Sequence, residues 1–267
     1  MAVKNSFNNF IQFITALIKT AIKSALSLRT TFIMQVLAMI INDLLWIFMW
    51  WILFKQQPII NSWNFDDVIL MQGILLASYA LFSTFMYGLD DLPRYINNGS
   101  LDNFLTIPKN ILLILTCSKV KPSGIGDLVT AGIMFMFTSY ATWNNLHLII
   151  VGITCGTTIF FAFRLITATL TFWSANIEHL GLHIFYSLLT FASQPASIFT
   201  GWYQVLILTI IPAGFISLLP VEIIKHFVVT KLILLISGSI MLLIFSLWLF
   251  YRGLQSYTSG NQFNIMD

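Results

Sequence analysis

Two charged side chains stand in long apolar stretches, where a charge is costly. Asp43 is the single charge in residues 31–54, and Arg164 is the single charge in residues 148–173. A charge at the centre of a membrane-spanning helix costs about 2.5–3.5 kcal/mol on insertion scales. Because the two charges have opposite signs, we predict that they form an ion pair that fixes helix packing. Contact with a transported substrate, and extension of Arg164 to the inner membrane surface, are the alternatives.

Other groups that could carry chemistry are dispersed. Of four histidines only His179 and His183 share a helix face, and neither Cys117 nor Cys155 has metal-ligand spacing, so we predict no metal site. The chain has no Gly-x-x-x-x-Gly-Lys-Ser/Thr, no His-Glu-x-x-His and no Gly-x-Ser-x-Gly motif. We therefore expect neither a catalytic residue nor a cofactor or nucleotide bound by this chain.

The composition is that of a membrane protein. Of 267 residues, 58% are hydrophobic and 9% are charged, whereas a soluble domain carries about 25% charged residues. Lipid as the outer solvent removes the need for a polar surface and favours helices. The net charge of +3 does not indicate a nucleic-acid partner. The sequence predicts an all-α protein in a lipid bilayer.

Hydrophobic periodicity divides the chain into a surface helix and six spans. Apolar residues at helical spacing within residues 7–26 alternate with lysines and polar residues, which predicts an amphipathic helix at the membrane surface. The predicted spans are 31–54, 68–87, 124–143, 148–173, one that begins near His183, and 232–250. The bias of Lys and Arg places both termini in the cytoplasm. A rival seven-span arrangement, in which residues 205–221 also cross, satisfies the charge bias slightly better, but charge alone does not decide between six and seven spans.

Residues 89–123 are too charged to lie in hydrocarbon, and they contain three prolines. They also contain apolar pieces, so we predict short helices along the membrane surface that end at the prolines. An apolar stripe flanked by charges on a cytoplasmic loop is suited to docking a partner protein. A loop that only anchors at the membrane is the alternative.

Part of this loop resembles a family motif. Residues 99–108, Gly-Ser-Leu-Asp-Asn-Phe-Leu-Thr-Ile-Pro, are similar to the Gly-x-Leu-Asp-x-x-Leu-x-x-Pro loop of short permeases of the ABC transporter type 2 class. Many relatives carry Glu in place of Asp102 and Leu in place of Phe104. Phe172-Trp173 before a polar turn, and the run from Gln194 to Phe215, add to the resemblance.

The resemblance implies a fold and a set of partners. It implies an elbow helix in residues 1–30, one permease domain of six helices in residues 31–252, and a cytoplasmic tail in residues 253–267. Two permease chains, identical or related, would pair with a dimer of separate ATPase subunits, which bind ATP and Mg. The loop 89–123 would contact the ATPase through a coupling helix and its neighbours: Gly99, Leu101, Asp102, Phe104, Leu105 and Pro108.

The resemblance also implies a re-entrant hairpin between the fifth and sixth spans. It would occupy residues 201–227 on the outer side, with turns at Pro212, Gly214 and Pro220. A helix broken at Pro212 loses a backbone hydrogen bond and cannot run smoothly through a bilayer. We therefore predict that this segment enters the membrane and returns without crossing.

These features together predict the permease subunit of an ATP-driven exporter in a bacterial plasma membrane. The alternative is an ion- or proton-coupled carrier that uses Asp43 and Arg164, and a polytopic membrane enzyme is a third reading. The sequence does not select a substrate.

Overall fold

A computed structural model describes residues 2–60, 62–195 and 211–258, with only the backbone of residues 2–11. This part of the chain is helical and contains no strand, apart from an isolated bridge between Ile60 and Trp63. The helices are α1 (Ala2–Leu26), α2 (Arg29–Gln56), α3 (Phe65–Phe85), α4 (Leu92–Asn97), α5 (Asp102–Leu105), α6 (Ile111–Cys117), α7 (Ser123–Phe137), α8 (Leu146–Thr169), α9 (Ile177–Ala192), α10 (Ala213–Ile216), α11 (Leu218–Lys225) and α12 (Val229–Gln255), with 3-10 turns at Tyr87–Asp91 and Leu170–Phe172.

Four of the described helices are long and apolar enough to cross a membrane. They are α2 with 28 residues, α3 with 21, α8 with its 3-10 extension at 27, and α12 with 27. A hydrocarbon core about 30 Å thick needs about 20 helical residues. Each of these helices covers one of the predicted spans, so the chain is a multi-pass membrane protein.

Two further helices are shorter than the predicted spans that they occupy. Helix α7 has 15 residues and α9 has 16, which corresponds to about 22–24 Å each. The third span was predicted to reach Trp143, but α7 ends at Phe137. The fifth was predicted to begin near His183, but α9 begins at Ile177. The count of six spans stays a prediction.

The early end of α7 has a local cause. The Asp66 carboxylate accepts hydrogen bonds from the Ser139 backbone N–H, at 3.1 Å, and from the Ser139 hydroxyl. The Thr138 hydroxyl oxygen accepts from the Tyr140 N–H at 3.3 Å. These side chains give the backbone partners outside a helix, so the helix stops where apolar composition alone would have extended it.

Helix α3 lies at the centre of the bundle. Of its most apolar segment 83% is buried, against 11% for α2 and 17% for α12. It packs against α7 and α8, while α2 packs on α7 and α12 packs on α8. The outer faces of α2 and α12 are therefore the apolar surfaces left for lipid or for another chain.

One end of the bundle is joined by polar contacts at the start of α3. The Asn64 side chain accepts from the Asp67 N–H and the Asp67 carboxylate accepts from the Asn64 N–H, each at 2.9 Å, which is a capping box. The Lys225 ammonium binds the same Asp67 carboxylate at 2.7 Å. The end of α11 therefore lies beside the beginning of α3.

Residues 211–225 run along α8. A Cβ at Gly156 would lie 3.6 Å from Ile216, and one at Gly152 would lie 3.1 Å from Pro220, so α11 rises toward the first residues of α8. Pro220 sits in the first turn of α11, where no backbone hydrogen bond is lost.

The other predicted turn residues lie at the start of this segment. Pro212 precedes α10, and Gly214 lies buried within it. Residues 201–210 of the predicted hairpin lie outside the described residues, as do residues 259–267 of the predicted tail, so the re-entrant hairpin stays a prediction.

Helix α1 forms over the predicted amphipathic segment. It packs against α6 and α2, and the Lys109 ammonium lies over the Phe13 ring at 5.5 Å from its centroid. The first helix is thereby joined to the loop 89–123, which begins at the opposite end of α3 from Asp67.

Candidate functional site

The predicted ion pair between Asp43 and Arg164 is wrong. Arg164, which is 1% exposed, donates from Nε to Asp90 Oδ1 at 2.5 Å and from Nη2 to the Asp90 carbonyl oxygen at 3.2 Å. Asp43 instead lies on α2 where α2 packs against α7. The position of a charge within an apolar stretch indicates how deep it lies in the membrane. It does not indicate which neighbouring helix faces that charge.

Each nitrogen of the Arg164 guanidinium has a polar partner. Its Nη1 lies 3.4 Å from the Thr167 hydroxyl, and its guanidinium lies over the Phe185 ring at 5.7 Å. A buried charge requires such partners, because an unpaired one costs several kcal/mol. Asp90 follows α3 directly, so this pair attaches the beginning of the loop 89–123 to α8.

A second set of contacts, two ionic and one a hydrogen bond, joins the loop to itself and to the first turn of α9. Asp91 binds the Lys119 ammonium and lies 3.5 Å from Arg94. The Asn97 side-chain amide donates to Glu178 at 2.8 Å. We define Asp90–Arg164, Asp91–Lys119 and Asn97–Glu178 as the loop clamp.

Tyr87 lies at the root of the same loop. Burial, and then the nearby Asp90 carboxylate, raise the pKa of Tyr87 to about 12, so its hydroxyl stays protonated. The Lys121 ammonium lies over the Tyr87 ring at 5.4 Å from its centroid. The residues that begin and end the loop are thus in contact with each other.

The residues of the family motif divide between core and surface. Leu101 is fully buried and belongs to a cluster with Leu92, Ile96 and Leu115. Its predicted role as a docking contact is therefore wrong, because a partner cannot reach it. It anchors the loop to its own core instead.

The remaining motif residues lie nearer to the surface. Phe104 is half-buried and packs on Tyr95, with 4.9 Å between ring centroids. Gly99 has a φ of +72°, a left-handed conformation that side chains rarely adopt. Asp102 is half-buried in the first turn of α5.

An exposed apolar turn follows α5. Leu105 is 46% exposed, and Ile107 and Pro108 are exposed beside it. We define Leu105, Ile107 and Pro108 as the loop tip. Ile107 is also exposed, at 39%, and was missed by the motif, which specifies no residue at that place.

A second buried acid lies near Asp43. Asp127 on α7 is fully buried and Asp43 is 3% exposed, and their carboxyl groups are within reach of each other. Gly126 permits this approach, because a Cβ there would lie 2.7 Å from the Val36 carbonyl oxygen and 2.9 Å from the Met39 Cβ. The sequence placed Asp127 near the end of a span and did not predict its partner.

These acids line a cavity of about 160 Å³ between α2, α3, α7 and α9. Its walls are mostly apolar, with Trp46 and Leu76 among them, and carry a few polar groups such as Gln72 and Tyr79. The Gln72 side chain donates to the Ser193 carbonyl at 2.8 Å and joins α3 to the residues after α9.

The chain is a helical membrane protein, and the loop between its second and third predicted spans is partly apolar and is fixed by the loop clamp. These features fit the family that the sequence resembles. The family model described as ABC-2 family transporter protein matches residues 37–261. The chain therefore belongs to the ABC-2 transporter family and is a membrane permease component of an ABC transporter. Neither the curated proteins nor the solved structures contain a match to the chain.

Proposed function

We propose that the chain is the permease of an ATP-driven exporter and that the loop tip docks on a separate ATPase subunit. The observation that carries the proposal is an exposed apolar turn on a loop that is fixed to the membrane helices. ATP and Mg are bound by the ATPase subunits. Membership of the family supports this arrangement, because a permease without a nucleotide site requires an external energy source.

The loop clamp supports a route for coupling. Leu101 anchors the segment before the loop tip in the core, and Asp90 joins the root of the loop to Arg164 on α8. A displacement of the loop tip by the ATPase would therefore be transmitted to α8 and to the first turn of α9, rather than absorbed by a free loop. In this proposal the coupling is mechanical, because a movement of the loop displaces the helices to which the loop is bound.

The proposal includes a topology in a bacterial inner membrane. The loop 89–123 and both termini lie in the cytoplasm, α1 is the elbow helix, and residues 201–227 form the outer re-entrant hairpin. The Lys225–Asp67 ion pair supports the hairpin, because it holds the end of α11 at the end of α3 opposite the loop. A second permease, identical or related, completes the pathway and packs on the exposed apolar faces of the bundle.

Leu105→Asp tests the docking role of the loop tip. A carboxylate in an apolar contact is desolvated without a partner, so the variant should lose the ATPase. The measurement is the amount of ABC ATPase recovered with the affinity-tagged permease from native membranes in mild detergent. Leu101 is unsuitable for this test because a charge at that position would damage the core.

Ile59→Asp is the matched control. Ile59 is also an exposed apolar residue, but it lies near Asn64, at the end of the bundle opposite the loop. It should retain the full amount of ATPase. Equal recovery with Leu105→Asp and with wild type would contradict docking through the loop tip.

Cysteine labelling tests the topology. Single cysteines at the exposed His226 and at Ser256 are treated in intact cells with an impermeant thiol reagent, in a chain whose Cys117 and Cys155 are replaced by alanine. Burial raises the pKa of the Cys117 thiol, which already limits its reactivity. Labelling at position 226 with protection at 256 agrees with the hairpin; the opposite pattern means that the segment crosses the membrane.

A further inference from the structure

The cavity between α2, α3, α7 and α9 contains acid groups without a cationic partner. Oδ2 of Asp43 and both carboxylate oxygens of Asp127 have no hydrogen-bond donor. Among the described residues, no Lys, Arg or His lies within ion-pair distance of either acid. Asp67 is the third buried acid among the described residues, and it is paired with Lys225. The two acids of the cavity therefore differ from Asp67 in having no ion-pair partner.

Two neighbouring acids in a water-poor site either take up protons or pair with a positive charge. A buried ionised carboxylate is costly unless it is paired, and two of them repel. Lys121 has an electrostatic influence on Asp127 but lies outside ion-pair distance of it. Its ammonium instead bonds to the Tyr79 hydroxyl at 3.3 Å and lies over the Tyr79 ring. Two carboxyl groups that approach each other form a hydrogen bond only when one holds a proton, which still leaves one negative charge.

The cavity has the size and lining for an ammonium group with a small apolar body. A proton needs no space, but about 160 Å³ is open beside the acids. Trp46 lies one turn from Asp43 on the same face of α2 and also lines the cavity. An indole face attracts a cation, and Trp is the strongest of the aromatic side chains in this respect. Two acids, an indole and apolar walls are complementary to an organic cation.

We propose that this cavity binds the protonated amine of a small organic cation, or the amine-bearing end of a larger one, as transported cargo. The proposal rests on the transport function proposed above and adds the class of substrate. Asp43 and Asp127 bind the ammonium, Trp46 covers its charge, and the apolar walls contact the hydrocarbon part. Because the cavity borders α9 and the residue Ser193, cargo here touches the helix that the loop clamp reaches from its other end.

The test uses the complete chain, purified in lipid nanodiscs, with phenethylammonium and its neutral analogue 2-phenylethanol as probes. Isothermal titration calorimetry at pH 7 should give an affinity for the cation at least about tenfold above that for the alcohol, as expected for a charge-assisted contact. Asp127→Asn and Asp43→Asn should each remove most of this preference while the affinity for the alcohol stays the same. Equal affinity for both probes in the wild type would overturn the proposal.

Asp66→Asn is the matched control, because it removes a carboxylate from the same region of the chain without touching the cavity. It should leave the preference for the cation intact. Thermal unfolding of every variant shows which ones fold, and Trp46→Leu provides a further folded variant, whose preference should fall by several-fold. A preference that persists in Asp127→Asn, Asp43→Asn and Trp46→Leu would place the cation elsewhere and overturn the proposal.

Carbodiimide labelling separates a cargo site from a proton site. A hydrophobic carbodiimide should modify Asp43 or Asp127, and phenethylammonium should protect against it. Labelling without protection means that the acids hold only a proton and overturns the cargo proposal. Recovery of the ATPase with the same wild-type chain reports on the proposed function separately, so failure of one is distinguishable from failure of the other.

Discussion

The bundle holds buried charge in two opposite ways. At the root of the loop, Arg164 has Asp90, Thr167 and the Phe185 ring around it. In the cavity near Trp46, Asp43 and Asp127 lie near each other, and no cation of the described residues pairs with them. Both sites lie in apolar surroundings, where the cost of a lone charge is large. The first site has its partners within the chain, whereas the second has unpartnered carboxylate oxygens, to which we assign the cation proposed above.

This difference suggests that Arg164 and Asp90 stabilise the fold, whereas Asp43 and Asp127 serve binding. A paired charge can be removed only at the expense of its partner, so its effect should appear in folding. An acid pair that awaits a cation should affect binding and leave folding intact. The comparison therefore predicts that stability and function respond to different residues.

Arg164→Met should have the largest effect on stability. It leaves Asp90, whose side chain is 12% exposed, without its guanidinium; the loss of one partner costs about 3–5 kcal/mol in buried pairs. The double variant Arg164→Met with Asp90→Asn should recover a large part of this loss. The measurement is a double-mutant cycle on the free energy of unfolding of the detergent-solubilised chain.

The exposed pair Lys231–Glu222 serves as the control for that cycle. Its ammonium and carboxylate lie 2.7 Å apart but are both solvent-accessible, so Lys231→Met should cost about 0–1 kcal/mol. Additive effects of the Arg164 and Asp90 substitutions would show that their contact does not stabilise the fold.

Gly126→Ala should have an intermediate effect. Its Cβ would meet the Val36 carbonyl oxygen at 2.7 Å and force α2 away from α7, at a cost of about 1–3 kcal/mol. Gly132 lies in the same helix with no atom within 4 Å of an added Cβ, so Gly132→Ala should be neutral or stabilise by up to about 1 kcal/mol. Equal unfolding temperatures for the two variants would mean that the close approach at Gly126 is not required.

Asp127→Asn should have the smallest effect on stability. The substitution removes no hydrogen bond of Asp127, and the new amide can donate to Asp43, so we expect the free energy of unfolding to change by less than about 1 kcal/mol or to rise. Thermal unfolding provides the measurement. A loss as large as that of Arg164→Met would show that the acid pair is structural, and the contrast between the two sites would disappear.

The long helices could be predicted from the sequence because their signal is local. Residues 31–54 and 232–250 are long, predominantly apolar stretches, and α2 and α12 enclose them. The end of α7 was missed because Ser139 donates to Asp66, which lies far away in sequence, while the Thr138 hydroxyl accepts from the Tyr140 N–H. Composition in residues 138–143 gave no sign of that contact.

The site residues were harder to predict, because their roles depend on which faces meet. Arg164 was recognised as an unusual charge, but its partner is Asp90 rather than Asp43, since α3 and not α2 leads into the loop that reaches it. Leu101 matched the family motif, yet the fold buries it. The motif identified the loop in the sequence. Only the packing of the structure shows that Leu101 anchors the loop while Leu105 is exposed.

The central claim is that transport by this chain is driven by ATP through the loop tip. The most direct measurement is uptake of a labelled organic cation into inside-out vesicles that contain the permease with its ATPase, compared with Leu105→Asp and Ile59→Asp. We predict uptake that requires ATP, persists when a protonophore removes the proton gradient, and is lost only in Leu105→Asp. Uptake by the permease alone, driven by a proton gradient without ATP, would contradict the account.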